Sequence, residues 1–347
     1  MPMHNGWLPR EGFVADVVSR VIQGTALDPT LTLPLLLLSQ YTSKGREIAQ
    51  NREKALKTLK ILVALGITRW AKNWLNNRVT NGWQSDKYVW SREIAVVTGG
   101  SDGIGQRVAL LLSERGVKVA VLDVQPLKYT APHNVRFFQC DISSTEAIAN
   151  AAAGVRETFG EPTILVNNAG ILTGKTILGG TERSTRLTFD VNTMSHYWLA
   201  REFLPHMISK NHGMVVTVAS QASFVTCADM TDYASSKSAA ASFHEGLATE
   251  LITRYNAPRV RTVLVTQSFT KTYLARELHS EDTFMNPLLY PETVAENIVR
   301  QILSGSSGYI NIPETSGWVA SNIRSFPYWF QHAFRNRLHK LAIPPAK

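Results

Sequence analysis

The chain has 347 residues and only two cysteines, Cys140 and Cys227. Two thiols allow at most one bridge and no thiolate cluster, which excludes a disulfide scaffold; two reduced thiols in a reducing compartment are expected. The nine histidines form no pair at metal-ligand spacing, and His206, His212 and His244 read as surface or core-edge residues. No metal site is expected. Residues 1–30 lack a basic start leading directly into an apolar core, so they do not read as a signal peptide. Long apolar runs are missing as well. The strongest, residues 31–38, contains Pro34 and stops at Ser39-Gln40, well short of the roughly 20 residues a spanning helix requires. Internal repeats and low-complexity tracts are absent. Charged residues make up 18% against 44% hydrophobic, the balance of a globular chain rather than a disordered one.

Acidic residues are scarce at both ends. Residues 1–90 carry twelve Lys/Arg against six Asp/Glu, and residues 318–347 carry five basic residues and no acidic one. The net charge of +9 therefore resides in the flanks and bears on attachment or partners rather than on the core. Within 53–77, Leu56, Leu59, Val63, Ile67, Trp70 and Trp74 recur at three- and four-residue spacing on one helical face, with Lys54, Lys57, Lys60, Arg69 and Lys72 toward the other. Such a helix lies in a membrane interface, or packs on the core or another subunit; the pattern admits both. Near the other end, Trp318, Phe326, Tyr328, Trp329, Phe330 and Phe334 interleave with Arg324, Arg335, Arg337 and Lys340. This mixture suits RNA or an anionic membrane surface. With a basic amphipathic helix at the opposite end, a membrane surface is the simpler expectation, and nucleic acid is not expected as a partner.

Between the flanks, buried-strand and helical patterns alternate. Strands are predicted at 94–98, 118–122, 135–139, 163–166, 214–218, 261–265 and 309–312, and helices at 145–159, around 185–208, at 233–254 and at 291–303. The alternation implies an α/β fold, a doubly wound parallel sheet whose ligand lies at the carboxyl ends of the strands. The first strand runs directly into Gly99-Gly100-Ser101-Asp102-Gly103-Ile104-Gly105, and Ile104, Val108, Leu111 and Leu112 begin a helix. Strand, glycine-rich turn and helix N-terminus together suit a pyrophosphate, since free N–H groups and the helix dipole favour an anion.

Taken in order, Thr98-Gly-Gly-Ser-Asp-Gly-Ile-Gly105, Asp123, Asp141, Asn167-Asn-Ala-Gly170, Asn192, Ser220 and Tyr233-Ala-Ser-Ser-Lys237 resemble the short-chain dehydrogenase/reductase family over roughly residues 91–313. The resemblance implies a Rossmann-type catalytic domain at 91–315, flanked by extensions at 1–90 and 316–347, and hydride transfer between a nicotinamide cofactor and a carbinol or carbonyl carbon. Tyr233 is then the acid/base. A phenol of pKa about 10 needs nearby positive charge for that role, and Lys237, one helical turn on, supplies it. Ser220 holds the substrate oxygen, and Asn192 holds a water linking Lys237 to solvent. Gly99, Ser101, Gly103, Ile104 and Gly105 take the phosphates and Asp123 the adenosine ribose. Asp141, Ile142, Asn168, Ala169 and Gly170 wall the cofactor cleft, Lys237 also binds the nicotinamide ribose, and Thr272 keeps a familiar place at the nicotinamide end. One departure stands out: Gln267-Ser268 replaces the Pro-Gly usual after the sixth strand, beside the nicotinamide carboxamide.

Asp123 accepts hydrogen bonds from ribose hydroxyls but opposes a 2′-phosphate, while Asp102 before Gly103 and Val124 after Asp123 supply no basic group. NAD rather than NADP is expected. Phe269, Tyr273, Leu274, Leu278, Phe284, Met285, Leu288, Leu289 and Tyr290 read as an apolar lid suited to a lipophilic alcohol or ketone; ordinary packing of a small lobe gives the same pattern. These features resemble the membrane-attached branch containing retinol and 17-beta-hydroxysteroid dehydrogenases. That resemblance implies a homo-oligomer held peripherally or monotopically on the cytosolic face of the endoplasmic reticulum or a lipid droplet. An NADP-dependent biosynthetic carbonyl reductase and a non-catalytic nucleotide-binding membrane scaffold are the competing functions.

Overall fold

The computed structural model describes residues 3–275 and 283–338. Leu278 of the expected lid and Lys340 of the C-terminal stretch lie outside them. Seven strands, β1 (Ile94–Thr98), β2 (Lys118–Asp123), β3 (Val135–Gln139), β4 (Ile164–Asn167), β5 (Gly213–Val218), β6 (Val260–Gln267) and β7 (Gly308–Ile312), form one sheet in the order β3-β2-β1-β4-β5-β6-β7. Every pairing is parallel. The order reverses between β1 and β4, which opens a crevice at their carboxyl ends.

Four helices precede the sheet: α1 (Ala15–Gly24), α2 (Pro29–Tyr41), α3 (Ser43–Asn51) and α4 (Glu53–Thr80). Then α5 (Gly103–Ser113) follows β1 and α6 (Thr145–Phe159) follows β3. After β4 come α7 (Glu182–Phe189), a π turn (Asp190–Met194) and α8 (Ser195–Lys210). Helix α9 (Thr231–Thr253) follows β5, α10 (Pro291–Leu303) follows β6, and α11 (Glu314–Asn322) and α12 (Tyr328–Leu338) end the described chain. The central strands are largely apolar because helices cover both faces. Val97, Val121, Val166 and Val216 pack with residues of α5 and α10, while Val96, Leu122, Leu165 and Val215 pack with residues of α6, α8 and α9. Ser144 caps α6 by accepting from Ala147 N, and Thr181 and Ser184 form a capping box on α7.

Two expectations need correction. The single helix predicted around 185–208 is interrupted by the π turn, where Asn192, Thr193 and Ser195 all spend their side chains on hydrogen bonds to the protein; such bulges redirect side chains within a helix. The apolar face predicted for 53–77 also divides. Val63 is buried and Leu56 and Leu59 half-buried, in a helix that packs against α2, whereas Ile67, Trp70 and Trp74 are exposed. Leu31, Leu35, Leu37 and Leu38 of α2 are exposed as well. No single helix among the described residues is long and apolar enough to cross a membrane; α1 and α2, bent by 43°, meet that test only as a pair.

Residues 10–16 brace the core. Arg10 makes a two-pronged contact with Glu296 on α10 at 2.9 and 2.7 Å. Ala15 N donates to Phe284 O, and Asp16 caps α11 by accepting from Glu314 N and Thr315 N. At the far end of α4, the buried Arg261 of β6 donates to Asn81 O at 2.9 Å and Gln84 O at 2.7 Å.

The linker into β1 is held by His212, whose Nδ1 lies 2.6 Å from Asp86 Oδ2 and Nε2 3.3 Å from Glu93 Oε2. Hydrogen bonding to Glu93 raises the His212 pKa against its burial, and Asp86 adds to the rise. Glu93, which burial pushes up, is nonetheless held below its ordinary range by hydrogen bonds from His212 and Thr163. The histidine's share of stability is complete below its ordinary value of 6.5 and is lost as pH rises through the higher folded value. The glutamate's share is present above 4.5 and is lost as pH falls through its lowered folded value. Thermal unfolding should therefore show a midpoint that declines as pH rises above about 6.5, and His212→Gln should flatten that decline. An identical decline in the variant would show that His212 is not its source.

Candidate active site

Strand β1 ends at Thr98, and the chain turns at Gly99 with φ of +65°. A Cβ there would stand 2.8 Å from Ala169 Cα, so only glycine lets the turn pass beneath the end of β4. Asn168 closes the crossing. Its Nδ2 donates to Thr98 O and Gly99 O, and its own N–H and that of Ala169 donate to Thr98 Oγ1. Asp102 then caps α5 through Gly103 N, leaving the turn and the helix N-terminus open to a cleft of about 800 Å³.

That cleft is lined by Gly99, Ser101, Gly103, Ile104, Asp123, Asp141, Ile142, Asn168, Ala169, Gly170, Tyr233, Lys237 and Thr272. Gly105 lies beneath it, packed against Gly99 O. Asp123 accepts from Ser101 N and Gln125 N, each at 3.0 Å, one bond to each oxygen; a carboxylate retains further lone pairs. Asp141 accepts from Ser143 N and Oγ. Sequence reasoning missed Lys128, which lines the cleft with Nζ 2.6 Å from Asp102 Oδ2 and 5.6 Å from the Tyr273 ring centroid. No local motif marks it. Only the closeness of the β2–β3 loop to the glycine-rich turn brings it there.

At the inner end, Tyr233 and Lys237 sit on the first two turns of α9. Lys237 is 3% exposed, donates from Nζ to Val218 O at 2.8 Å, and lies 5.9 Å from the Tyr233 ring centroid. Burial lowers its pKa to about 8. Burial raises that of Tyr233, and a hydrogen bond with Ser220 works against the rise. Ser220, just beyond β5, also accepts from Ala222 N. Tyrosine, serine and lysine thus meet at one point, where a hydroxyl or carbonyl oxygen can be held and a proton exchanged. Near them, the amide of Asn192 donates to Ile171 O and Ser236 Oγ and accepts from Ile171 N. Its side chain is committed to protein partners. Asp232, next to Tyr233, accepts from Thr173 and Thr188 and so ties the start of α9 to the β4 loop and α7.

Leu172, Ala222, Cys227, Met230 and Phe269 surround Tyr233. Of the expected lid, Phe269 belongs to this group, whereas Leu289 is 2% exposed within the main core and Phe284 packs at a tilt against Phe13. Gln267, in the Pro-Gly place, lines the cleft, and its buried Oε1 has no hydrogen-bond partner among the described residues. His244 corrects another expectation: it is 7% exposed, a buried residue.

The short chain dehydrogenase family matches residues 93–283. "Dehydrogenase RED2" of Cochliobolus heterostrophus is 41% identical over 207 residues, 59% of this chain and 78% of that one. "Estradiol 17-beta-dehydrogenase 11" of Rattus norvegicus is 32% identical over 255 residues, 71% and 84% of the two chains. Among solved structures, the 3-ketoacyl-(acyl-carrier-protein) reductase from Brucella melitensis complexed with NADH aligns with a TM-score of 0.58 at 22% identity, over 65% of this chain and 98% of that one, a likeness of fold. With a sheet, a cleft and a Tyr–Lys–Ser constellation of this kind, the chain belongs to the short-chain dehydrogenase family and is an oxidoreductase.

Proposed function

We propose that the protein is an NAD-dependent dehydrogenase of a lipophilic alcohol, working on a membrane surface. The observation that carries this is that Tyr233 and Lys237 line the same cleft as Asp123, with Ser220 hydrogen-bonded to Tyr233 beside it. The residues present fit a nicotinamide dinucleotide. With Ser101 N and Gly103 N taken by Asp123 and Asp102, the first turn of α5, from Ile104, offers backbone N–H groups to phosphates, and Asp123 has lone pairs left for ribose hydroxyls. Gly170 lies against Lys237 and Asn192: a Cβ there would stand 3.3 Å from Asn192 Oδ1 and 3.4 Å from Lys237 Nζ. Gln267 brings an unpaired acceptor to the nicotinamide end. When bound, the cofactor takes up the hydride. Ser220 orients the substrate oxygen, Tyr233 removes its proton, and the Lys237 ammonium makes the phenolate accessible. Leu172, Met230 and Phe269 around Tyr233 suit an apolar substrate, in line with a relative named for estradiol.

Removing the phenol oxygen isolates the proton step. Tyr233→Phe should cut turnover by roughly 10²–10⁴-fold while NADH affinity, read by fluorescence, stays within a few-fold. Lys237→Met should reduce both. Near-normal turnover by Tyr233→Phe across an alcohol and ketone panel would remove the mechanism.

Around the adenosine end, Asp102, Asp123 and Asp141 outnumber Lys128, whose charge is already engaged by Asp102. A 2′-phosphate would meet net negative charge. NAD should be preferred by at least about tenfold, equivalent to only ~1.4 kcal/mol, and Asp123→Ser with Val124→Arg should narrow the preference. Equal efficiency with both cofactors would instead support the NADP-dependent reductase.

The exposed leucines of α2 and Trp70 and Trp74 of α4, with the basic excess of the flank, support monotopic attachment to the cytosolic face of the endoplasmic reticulum or a lipid droplet. Exposed Trp318, Tyr328 and Trp329 extend the apolar surface at the C-terminal end. Self-association is assigned to α8 and α9, where Tyr197, Leu204, Phe243 and Leu247 line a groove of about 660 Å³. Leu35→Ser, Leu37→Ser, Trp70→Ser and Trp74→Ser combined should move the protein from the membrane to the soluble fraction without loss of folding. An unmodified protein that is itself fully soluble would end the attachment proposal.

A further inference from the structure

Behind Lys237, away from the cleft, four buried polar side chains interrupt an apolar layer. Asn167 on β4 and Thr217 on β5 are register partners, so their side chains leave the sheet on the same face. Leu165 and Val215, two residues earlier, share that face with Leu199, Phe203 and Phe243. His244 of α9 sets Nδ1 3.3 Å from Thr217 Oγ1. It follows Lys237 by seven residues, two turns along the same side of the helix. His196 of α8 is 1% exposed, and it is close enough to Lys237 and His244 for their charges to add to burial in lowering its basicity.

Three atoms in this layer, both amide atoms of Asn167 and Nδ1 of His196, have no hydrogen-bond partner among the described residues. Buried polar atoms left unpaired are costly, and ordered water with two to four polar partners is the usual remedy. The setting of Lys237 is unusual too. The Tyr233 ring centroid lies 5.9 Å from its Nζ, and His196 of α8 is near enough to feel its charge. Neither is a carboxylate, and burial is what lowers its pKa. One of its three N–H groups goes to Val218 O. Both imidazoles are neutral near pH 7, lowered chiefly by burial to about 3 and about 4, so each offers one donor and one acceptor without repelling the ammonium.

We propose that Asn167, Thr217, His196 and His244 hold ordered water behind Lys237, and that His196 is a positioning residue which hydrates and orients the Lys237 ammonium through that water. The proposal rests on the role given to Lys237 above. Without this hydration the ammonium loses stability, the Tyr233 phenolate loses its counter-charge, and the phenol ionises at higher pH.

His196→Leu removes both ring nitrogens. It should lower kcat about tenfold and move the pH profile of alcohol oxidation roughly one unit toward alkaline pH, with the KM for NAD little changed. His196→Gln, which again offers a donor and an acceptor, should restore most of both. A folded His196→Leu protein with the unmodified pH profile overturns the proposal. If that variant does not fold, a crystal structure of the unmodified protein that resolves solvent decides. Water within hydrogen-bond distance of His196 Nδ1 and the Asn167 amide supports the proposal, and a dry layer overturns it. This second measurement needs no turnover, so it stands apart from any failure to find an alcohol substrate.

Discussion

Where β1 and β4 end side by side, two stretches of backbone approach within van der Waals contact, and most of the molecule is arranged around that contact. Gly99 turns left-handed against Ala169, and Thr98 Oγ1 receives the N–H groups of both Asn168 and Ala169. The crossing fixes the point at which strand order reverses. It also aims the first turn of α5 into the opening, where free N–H groups and the positive helix end favour phosphate. A side chain at Gly99 would push the two strand ends apart and with them the floor and wall of the cleft.

Helix α9, which carries Tyr233 and Lys237, packs closely on its neighbours. Ala234, Ser236 and Ala240 are fully buried and small, so the helix approaches β5 near enough for Lys237 Nζ to reach Val218 O. The π turn locks the other flank: Thr193 Oγ1 donates to Ser236 O, and Asn192 Nδ2 donates to Ser236 Oγ. Tyr233 and Lys237 are therefore held by backbone-level contacts on two sides. Their geometry does not depend on the mobility of long side chains, which is what a proton-transfer site requires.

Much of the fold was legible because both faces of the sheet are covered. Inner strands buried on two sides are largely apolar, as at 94–97 and 164–166, and the partly buried edge strand at 135–139 was also read with the boundaries the structure has. Helices 145–159 and 291–303 were equally clear, since a serine cap and an N-terminal proline mark their starts. The ordered motif from Thr98 to Lys237 placed most of the cleft. What escaped depends on contacts between distant segments. Lys128 gains its position only when the β2–β3 loop meets Asp102. The π turn arises from Asn192 reaching across to Ile171, a bond that periodicity cannot register. Leu289 looks like lid residues of the same composition, yet a bridge to Thr270 draws it into the core. In α4, one apolar stripe serves two surfaces, because α2 is shorter and covers only part of it.

The N-terminal extension is continuous with the catalytic fold in an energetic sense, whatever its outer face contacts. Arg261 carries a buried charge on β6, and two of its acceptors, Asn81 O and Gln84 O, belong to the chain just after α4. Without them the guanidinium would be left in the interior with Pro258 O as its remaining acceptor, and an uncompensated buried charge is strongly destabilising. Strand β6 runs from this anchored end to Gln267, which lines the cleft. The opposite end of the extension bears on the same neighbourhood: Ala15 bonds to Phe284, Glu11 accepts from Tyr290 N, and Arg10 grips α10. These contacts flank the segment that follows Thr272. The helices that display leucine and tryptophan outward are thus tied at both ends to the strand and loop that frame the cofactor cleft. A surface engaging those helices would act on elements that the cleft itself requires.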